Sequence, residues 1–132
     1  MKNINVFIDK EYEKLNKPLC ELIIKKILTH YKYTSYDVNV IFTSDMYLSG
    51  LKKEFFSKDQ WTDVIAFPLQ RDYKFVEGEI YISIPTAKKN ANLFKEPYKK
   101  ELGRLIIHGS LHLLGIEDKS TEQKKKDDYT WR

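Results

Sequence analysis

The stretches Val64-Ile65-Ala66-Phe67-Pro68 and Gly78-Glu79-Ile80-Tyr81-Ile82-Ser83-Ile84 decide the fold of this chain. The first is short and apolar, begins with two β-branched residues and closes at its proline. The second alternates apolar with polar side chains and stops before Pro85. Both patterns are typical of β-strands. Because a polar connection of only about ten residues separates them, we expect the two strands to be antiparallel neighbours in one sheet.

The sequence before these strands predicts two further strands and two helices. Residues 4–8 and 38–42 have the apolar pattern of short buried strands. Over about residues 15–33 the apolar positions recur at helical spacing, and Pro18 lies in the first turn, where a proline is tolerated. A shorter helix is predicted over 46–55.

After Pro85 the pattern is helical almost to the end of the chain, with breaks around 90–97 and 115–119. The resulting order is β-α-β-α-β-β-α-α. This order predicts an α+β fold with a single domain over residues 1–132. We expect a small four-stranded mixed sheet, a long helix after the first strand, and the helix that carries the candidate metal ligands packed on the sheet.

Composition narrows the class of protein. The chain has 132 residues, of which 42% are hydrophobic and 14% aromatic, so it can build a core and is not a disordered segment. The net charge of +4 is mildly basic, which permits a phosphate-bearing partner without requiring one. The single cysteine, Cys20, excludes an intramolecular disulfide and a cysteine-clustered zinc site. A lone thiol fits a reducing compartment.

The N-terminal residues do not have the pattern of a secretory signal, because Asn3, Asn5 and Asp9 interrupt the apolar run. The sequence has no apolar run approaching the ~20 residues that span a bilayer. We therefore expect a cytoplasmic protein with no membrane partner.

A pair of histidines carries the candidate chemistry. His108 and His112 are four residues apart, a spacing that puts both imidazoles on one face of a helix and suits capture of one metal ion. Gly115 falls where that helix should end. A turn there would bring Glu117 or Asp118 back toward the histidines as a third ligand. Two imidazoles and one carboxylate leave a fourth position for water, as in catalytic zinc sites. The alternative is a pair of core histidines bonded to the backbone.

The residue beside the first histidine limits the reaction class. Zinc peptidases of the H-E-x-x-H pattern have a glutamate there as general base, whereas this chain has Gly109. Glycine cannot transfer a proton, so peptide hydrolysis is not expected. Metal-assisted attack on a phosphodiester needs less help from side chains, because the metal also neutralises phosphate charge.

The stretch 88–104 is rich in lysine and includes Tyr98, which could stack on a base. Arg104 precedes His108 by four residues and so shares its helix face. It could bind a phosphate as a catalytic residue or pair with Glu101 instead. A solvated lysine-rich surface is the simpler interpretation of the stretch as a whole.

Three motifs resemble those of the YbeY family of bacterial rRNA-maturation endoribonucleases. Residues 108–118, which read H-G-S-L-H-L-L-G-I-E-D, resemble its H-G-x-L-H-L-x-G-x-D-H signature. Residues 62–68 (T-D-V-I-A-F-P) are similar to its T-D-V-L-S-F-P segment, and residues 78–83 (G-E-I-Y-I-S) to its G-D-I-x-I-S strand.

This resemblance implies a metal-dependent, single-strand-specific endoribonuclease of late 16S rRNA 3′-end maturation. It implies an α+β fold with a four-stranded sheet, one divalent metal ion, which we expect to be zinc, and the ligands His108, His112 and Asp118. Single-stranded rRNA, the small ribosomal subunit and its assembly factors are the implied partners. Glu117 is a candidate catalytic proton carrier beside the metal, and Arg104 a candidate phosphate contact.

Two departures from the family pattern keep other functions open. Asp118 stands where the family has its third histidine, and Phe56 stands where it has an arginine. Phenylalanine cannot bind phosphate, so another basic residue would have to replace it. The candidates are Lys53, Lys58, Arg71 and Arg104. The alternatives are a non-catalytic ribosome-assembly factor with a structural metal, and a hydrolase of small phosphoesters.

Overall fold

The computed structural model describes residues 1–12, 15–56 and 63–116. Over these residues the elements follow the order that the sequence predicts. They are β1 (Lys2–Ile8), α1 (Lys17–His30), β2 (Ser35–Thr43), α2 (Asp45–Phe56), β3 (Val64–Arg71), β4 (Phe75–Ser83), α3 (Ile84–Leu93) and α4 (Tyr98–Leu113). Among these described helices, none is both long and apolar enough to cross a bilayer.

The strands form one mixed sheet in the order β1-β2-β4-β3. β1 and β4 are both parallel to β2, and β3 is antiparallel to β4. The prediction of an α+β fold with a four-stranded mixed sheet is therefore confirmed, as is the antiparallel pairing of the two strands that decide it. Helix α1 makes the parallel crossover between β1 and β2, which requires a connection of this length.

One face of the sheet carries the core, because successive side chains of a strand point to opposite faces. Val76, Ile80 and Ile82 of β4 are fully buried on that face. Helices α1 and α4 cover it with their own buried apolar residues, namely Cys20, Ile24, Leu28, Leu102, Leu105, Ile106 and Leu113. The other face meets α2, whose Tyr47 ring lies 6.0 Å from that of Tyr81. The histidine-bearing helix is thus fixed on the core face.

Strand β3 does not close at Pro68 as its sequence predicts, but continues to Arg71. The reason is its position at the edge of the sheet, where a missing N–H can face solvent rather than a neighbouring strand. The register of its pairing with β4 shifts between Pro68 and Gln70, and this irregularity accommodates the proline within the strand.

Strand β4 begins at Phe75, three residues earlier than its alternation indicates, because the connection to β3 is a tight turn. One carboxylate oxygen of Asp72 accepts hydrogen bonds from the backbone N–H groups of Lys74 and Phe75, at 2.8 and 2.7 Å. These two bonds lower the pKa of Asp72, since they favour its charged form. Arg71, the last residue of β3, lies close to the C-terminal end of helix α4.

Candidate active site

Helix α4 brings His108 and His112 together, as their spacing predicts. The two rings are stacked, with centroids 4.3 Å apart and planes inclined by 20°. Their Nε2 atoms lie 2.5 Å apart. Both Nε2 atoms therefore face the same point beside the helix. Imidazole nitrogen is a preferred ligand of zinc and similar metals, and the donor chemistry therefore fits such an ion.

Gly109 explains how the histidine helix approaches the sheet so closely. A Cβ atom at this position would lie 2.6 Å from Cγ2 of Ile80 and 2.9 Å from Cγ2 of Val64. Real Cβ atoms do not make contacts this short, so a larger residue there would require α4 or the side chains of Ile80 and Val64 to shift. The glutamate that zinc peptidases have at this position would therefore not fit the present packing of α4 on the sheet.

The end of α4 is a Schellman turn, which the position of Gly115 predicts. Gly115 has a φ of 71°, and its N–H donates to the carbonyl of His112 at 3.0 Å. The N–H of Ile116 donates to the carbonyl of Leu111 at 2.9 Å, and the Ile116 side chain packs against the core. These two bonds and the left-handed residue define this helix terminus. The chain therefore leaves α4 in a fixed direction at Gly115, three residues after His112.

Arg71 reinforces that turn from the neighbouring strand. Its Nη1 donates to the carbonyl of Leu113 at 3.1 Å. A Cβ atom at Gly115 would lie 2.5–3.0 Å from three atoms of the guanidinium group, so the group packs directly against the glycine. Sequence reasoning named Arg71 only as one possible substitute for a missing arginine. The contact joins residues 42 positions apart, and no local pattern indicates it.

The predicted third metal ligand lies outside the described residues. Glu117 and Asp118 both follow residue 116, the last residue that the structure describes. Within the described part of the chain, no group of three histidine, cysteine or carboxylate side chains could hold a metal ion. The structure thus brings together two of the three predicted ligands, and the assignment of Asp118 as the third stays a prediction.

Arg104 pairs with Glu101, one of the two partners that the sequence allows it. Its Nε and Nη2 donate to the two carboxylate oxygens of Glu101, at 3.0 and 2.6 Å, and Nη2 lies 3.5 Å from Asp63. Asn90 of α3 also donates to Glu101, at 3.1 Å. Burial alone would lower the pKa of Arg104, but the hydrogen bonds and charges of Glu101 and Asp63 raise it. Phosphate binding by Arg104 remains an untested prediction.

A model of the family described as Endoribonuclease YbeY matches residues 2–128 of this chain. The chain belongs to the YbeY family.

Individual YbeY relatives support this assignment over nearly the whole chain. The protein named Endoribonuclease YbeY from Cytophaga hutchinsonii is 36% identical over 128 residues, which cover 95% of this chain and 90% of the relative. The protein of the same name from Persephonella marina is 32% identical, with 90% and 82% covered. The implied membership in a family of endoribonucleases, which are hydrolases, is confirmed.

The fold is also similar to that of a solved structure. The solution structure of TM1509 from Thermotoga maritima matches with a TM-score of 0.57 and 29% sequence identity. The match covers 95% of this chain and 85% of that one.

The lysine-rich stretch of this YbeY chain lies on α3, on the start of α4 and on the connection between them. Its exposed basic residues are Lys88, Lys89, Lys95, Lys99 and Lys100. Lys100 is paired, since its Nζ lies 2.9 Å from Glu96. The Nζ of Lys88 lies 5.7 Å from the centre of the Tyr98 ring, so a cation already covers one side of the aromatic residue that was expected to stack on a base.

Proposed function

We propose that this chain is a metal-dependent endoribonuclease that cuts single-stranded RNA at the 3′ end of 16S rRNA during maturation of the small ribosomal subunit in the cytoplasm. The observation that carries the proposal is the convergence of the His108 and His112 Nε2 atoms, 2.5 Å apart, in a chain of the YbeY family. Single-stranded rRNA is the substrate, and the small subunit with its assembly factors supplies the context.

Three residues would hold the metal in this proposal, namely His108, His112 and Asp118. The first two converge on one point from adjacent turns of a helix that is fixed on the sheet. A bound divalent ion, which we expect to be zinc, supplies Lewis acidity and an activated water for hydrolysis of the phosphodiester. Three protein ligands leave room for that chemistry, whereas structural zinc sites are normally closed by four.

The remaining roles fall to charged residues of this chain. Glu117, next to the proposed ligand Asp118, would carry a proton to or from the reacting oxygens. The exposed lysines of α3 and α4 would attract and position the RNA backbone, since phosphate contacts from lysine position a nucleic acid without reading its sequence. Arg104, held by Glu101 at 2.6 Å, would contact a phosphate through the N–H donors that this pairing leaves over.

The test is cleavage of a single-stranded RNA that spans the 16S 3′ end. Wild-type protein, His112→Ala and His30→Ala are purified in parallel. His30 is the matched control, because it is exposed at the end of α1 and its ring contacts Tyr31. We expect wild type and His30→Ala to cleave, His112→Ala to be inactive, and a chelator to abolish cleavage.

Equal residual activity in all three proteins would indicate a contaminating nuclease and would refute the proposal. RNA binding without cleavage by wild-type protein would instead favour the alternative, a non-catalytic assembly factor. Cleavage of mononucleotide esters but not of RNA would favour a small-molecule phosphoesterase.

A further inference from the structure

Arg71 connects the end of strand β3 to the end of the histidine helix. Its guanidinium donates to the Leu113 carbonyl at 3.1 Å and packs against Gly115. We infer that Arg71 is a positioning residue of the metal site: it holds the C-terminal end of α4, the helix whose last two turns carry His108 and His112. The inference rests on the proposed function, because it presupposes that the histidines bind a metal.

The electrostatics of the helix end favour this role. The last carbonyl groups of a helix have no donor within the helix and carry partial negative charge. Gly115 N–H satisfies the carbonyl of His112, and Arg71 satisfies that of Leu113. Among the described residues, no carboxylate forms an ion pair with Arg71. Its guanidinium is directed at the helix terminus, where it donates to the Leu113 carbonyl.

The packing makes Arg71 and Gly115 dependent on each other. The backbone at Gly115, with a φ of 71°, is one that side-chain-bearing residues rarely adopt. The space that a Cβ would fill there is occupied by the guanidinium, whose Nη1 lies 2.5 Å from the Cβ position. Arg71 thus forms one wall of the turn. Without it, the Leu113 carbonyl would be left to water and the turn would keep only its own two backbone bonds.

The bonds that hold the end of α4 should affect metal affinity through His112. His112 is separated from the turn by two residues, and both its carbonyl and that of Leu113 are held by the bonds described above. If the end of α4 were held less firmly, its last turn and the imidazole of His112 would sample more orientations, and metal binding would have to restrict them. Residues that orient metal ligands typically contribute 10–100-fold in metal affinity. For an arginine that acts through the backbone we expect about tenfold, the lower end of that range.

The test measures zinc affinity by competition with a chromophoric chelator, together with the absorption spectrum of the Co²⁺-loaded protein and the melting temperature of the metal-free protein. The variants are Arg71→Met and Arg71→Lys, with His112→Ala as reference. Lys74→Met is the matched control, since it removes a positive charge from the same β3–β4 hairpin, where Lys74 lies over the Tyr73 ring. We expect Arg71→Met to bind zinc about tenfold more weakly, with an altered Co²⁺ spectrum, and Lys74→Met to bind like wild type.

Arg71→Lys keeps the charge and loses the planar group that packs on Gly115, so its affinity should fall between those of wild type and Arg71→Met. If Arg71→Met does not fold, Arg71→Lys provides the test. A folded Arg71 variant with a lower melting temperature but wild-type zinc affinity and spectrum would overturn the inference, because the residue would then serve stability alone. If wild type bound zinc no better than His112→Ala, the proposed metal site would fail and the inference with it.

Discussion

The guanidinium group of Arg104 is bound to both carboxylate oxygens of Glu101, one turn of α4 before His108. Glu101 is only 4% exposed, and Asn90 of α3 donates a third hydrogen bond to it. Arg104 also reaches Asp63, whose carbonyl accepts the N–H of Ser83 at the end of β4. The histidine helix is therefore tied to α3 and to the start of β3 by one buried polar network.

Loss of the charge of Glu101 should destabilise the fold strongly. In Glu101→Gln the one amide oxygen can accept only one of the two bonds from Arg104, and the negative charge next to the largely buried guanidinium is reduced to that of Asp63, at 3.5 Å. Breaking a buried ion pair by removing one partner costs about 3–5 kcal/mol, and we expect about 3 kcal/mol here because Asp63 remains. Chemical denaturation measures the change in the free energy of unfolding.

Glu96→Gln is the control for this experiment. Glu96 pairs with Lys100 at 2.9 Å, but 61% of the lysine side chain is exposed. Exposed pairs contribute about 0–1 kcal/mol, so the variant should unfold almost like wild type. Equal losses in Glu96→Gln and Glu101→Gln would show that the buried network has no special role.

Two glycines of the same helix should respond to alanine in opposite ways. At Gly109 a Cβ would lie 2.6 Å from the Ile80 side chain, whereas at Gly103 nothing lies within 4 Å. Gly109→Ala should lose about 1–3 kcal/mol of unfolding free energy through overpacking. Gly103→Ala should gain up to about 1 kcal/mol, the difference in helix propensity. Thermal or urea unfolding measures the free energy of unfolding of both variants. A Gly109→Ala variant more stable than wild type would contradict the close packing of α4.

The sequence predicts those features that depend on neighbours along the chain. Alternation in β4 predicts which of its residues are buried, and the four-residue spacing predicts that His108 and His112 meet. The position of Gly115 predicts where α4 ends. Each of these follows from the period of a helix or strand, or from the conformational freedom of glycine.

Features that depend on which elements become neighbours could not be predicted. That β3 passes through Pro68 follows from its place at the sheet edge, which no local pattern shows. The bonds from Arg71 to Leu113 and from Asn90 to Glu101 join separate elements. The sequence allows Arg104 to bind either Glu101 or a phosphate, and its pairing with Glu101 becomes visible only in the fold, where Glu101 is buried.

The thiol of Cys20 should be unreactive in the native protein. It is 4% exposed, and burial, with a smaller contribution from Glu21, raises its pKa from 9.0 to about 12. Because the thiolate is the reactive form, alkylation at pH 8 should be far slower in native than in unfolded protein. The raised pKa also means that this group favours folding below about pH 9, and that this contribution is lost as the pH rises toward 12. Rapid native labelling would contradict the burial.

Zinc should raise the thermal stability of the protein through the histidine pair. A ligand that binds only the native state stabilises it by about 2.7 kcal/mol at one hundred times its dissociation constant. We therefore expect added zinc to raise the melting temperature of wild type and of His30→Ala, and excess chelator to reverse the rise. His112→Ala should show no such shift, because it lacks one of the two nitrogens that lie 2.5 Å apart. A zinc-dependent rise of equal size in His112→Ala would place the binding elsewhere on the chain and would remove the metal from the proposed active site.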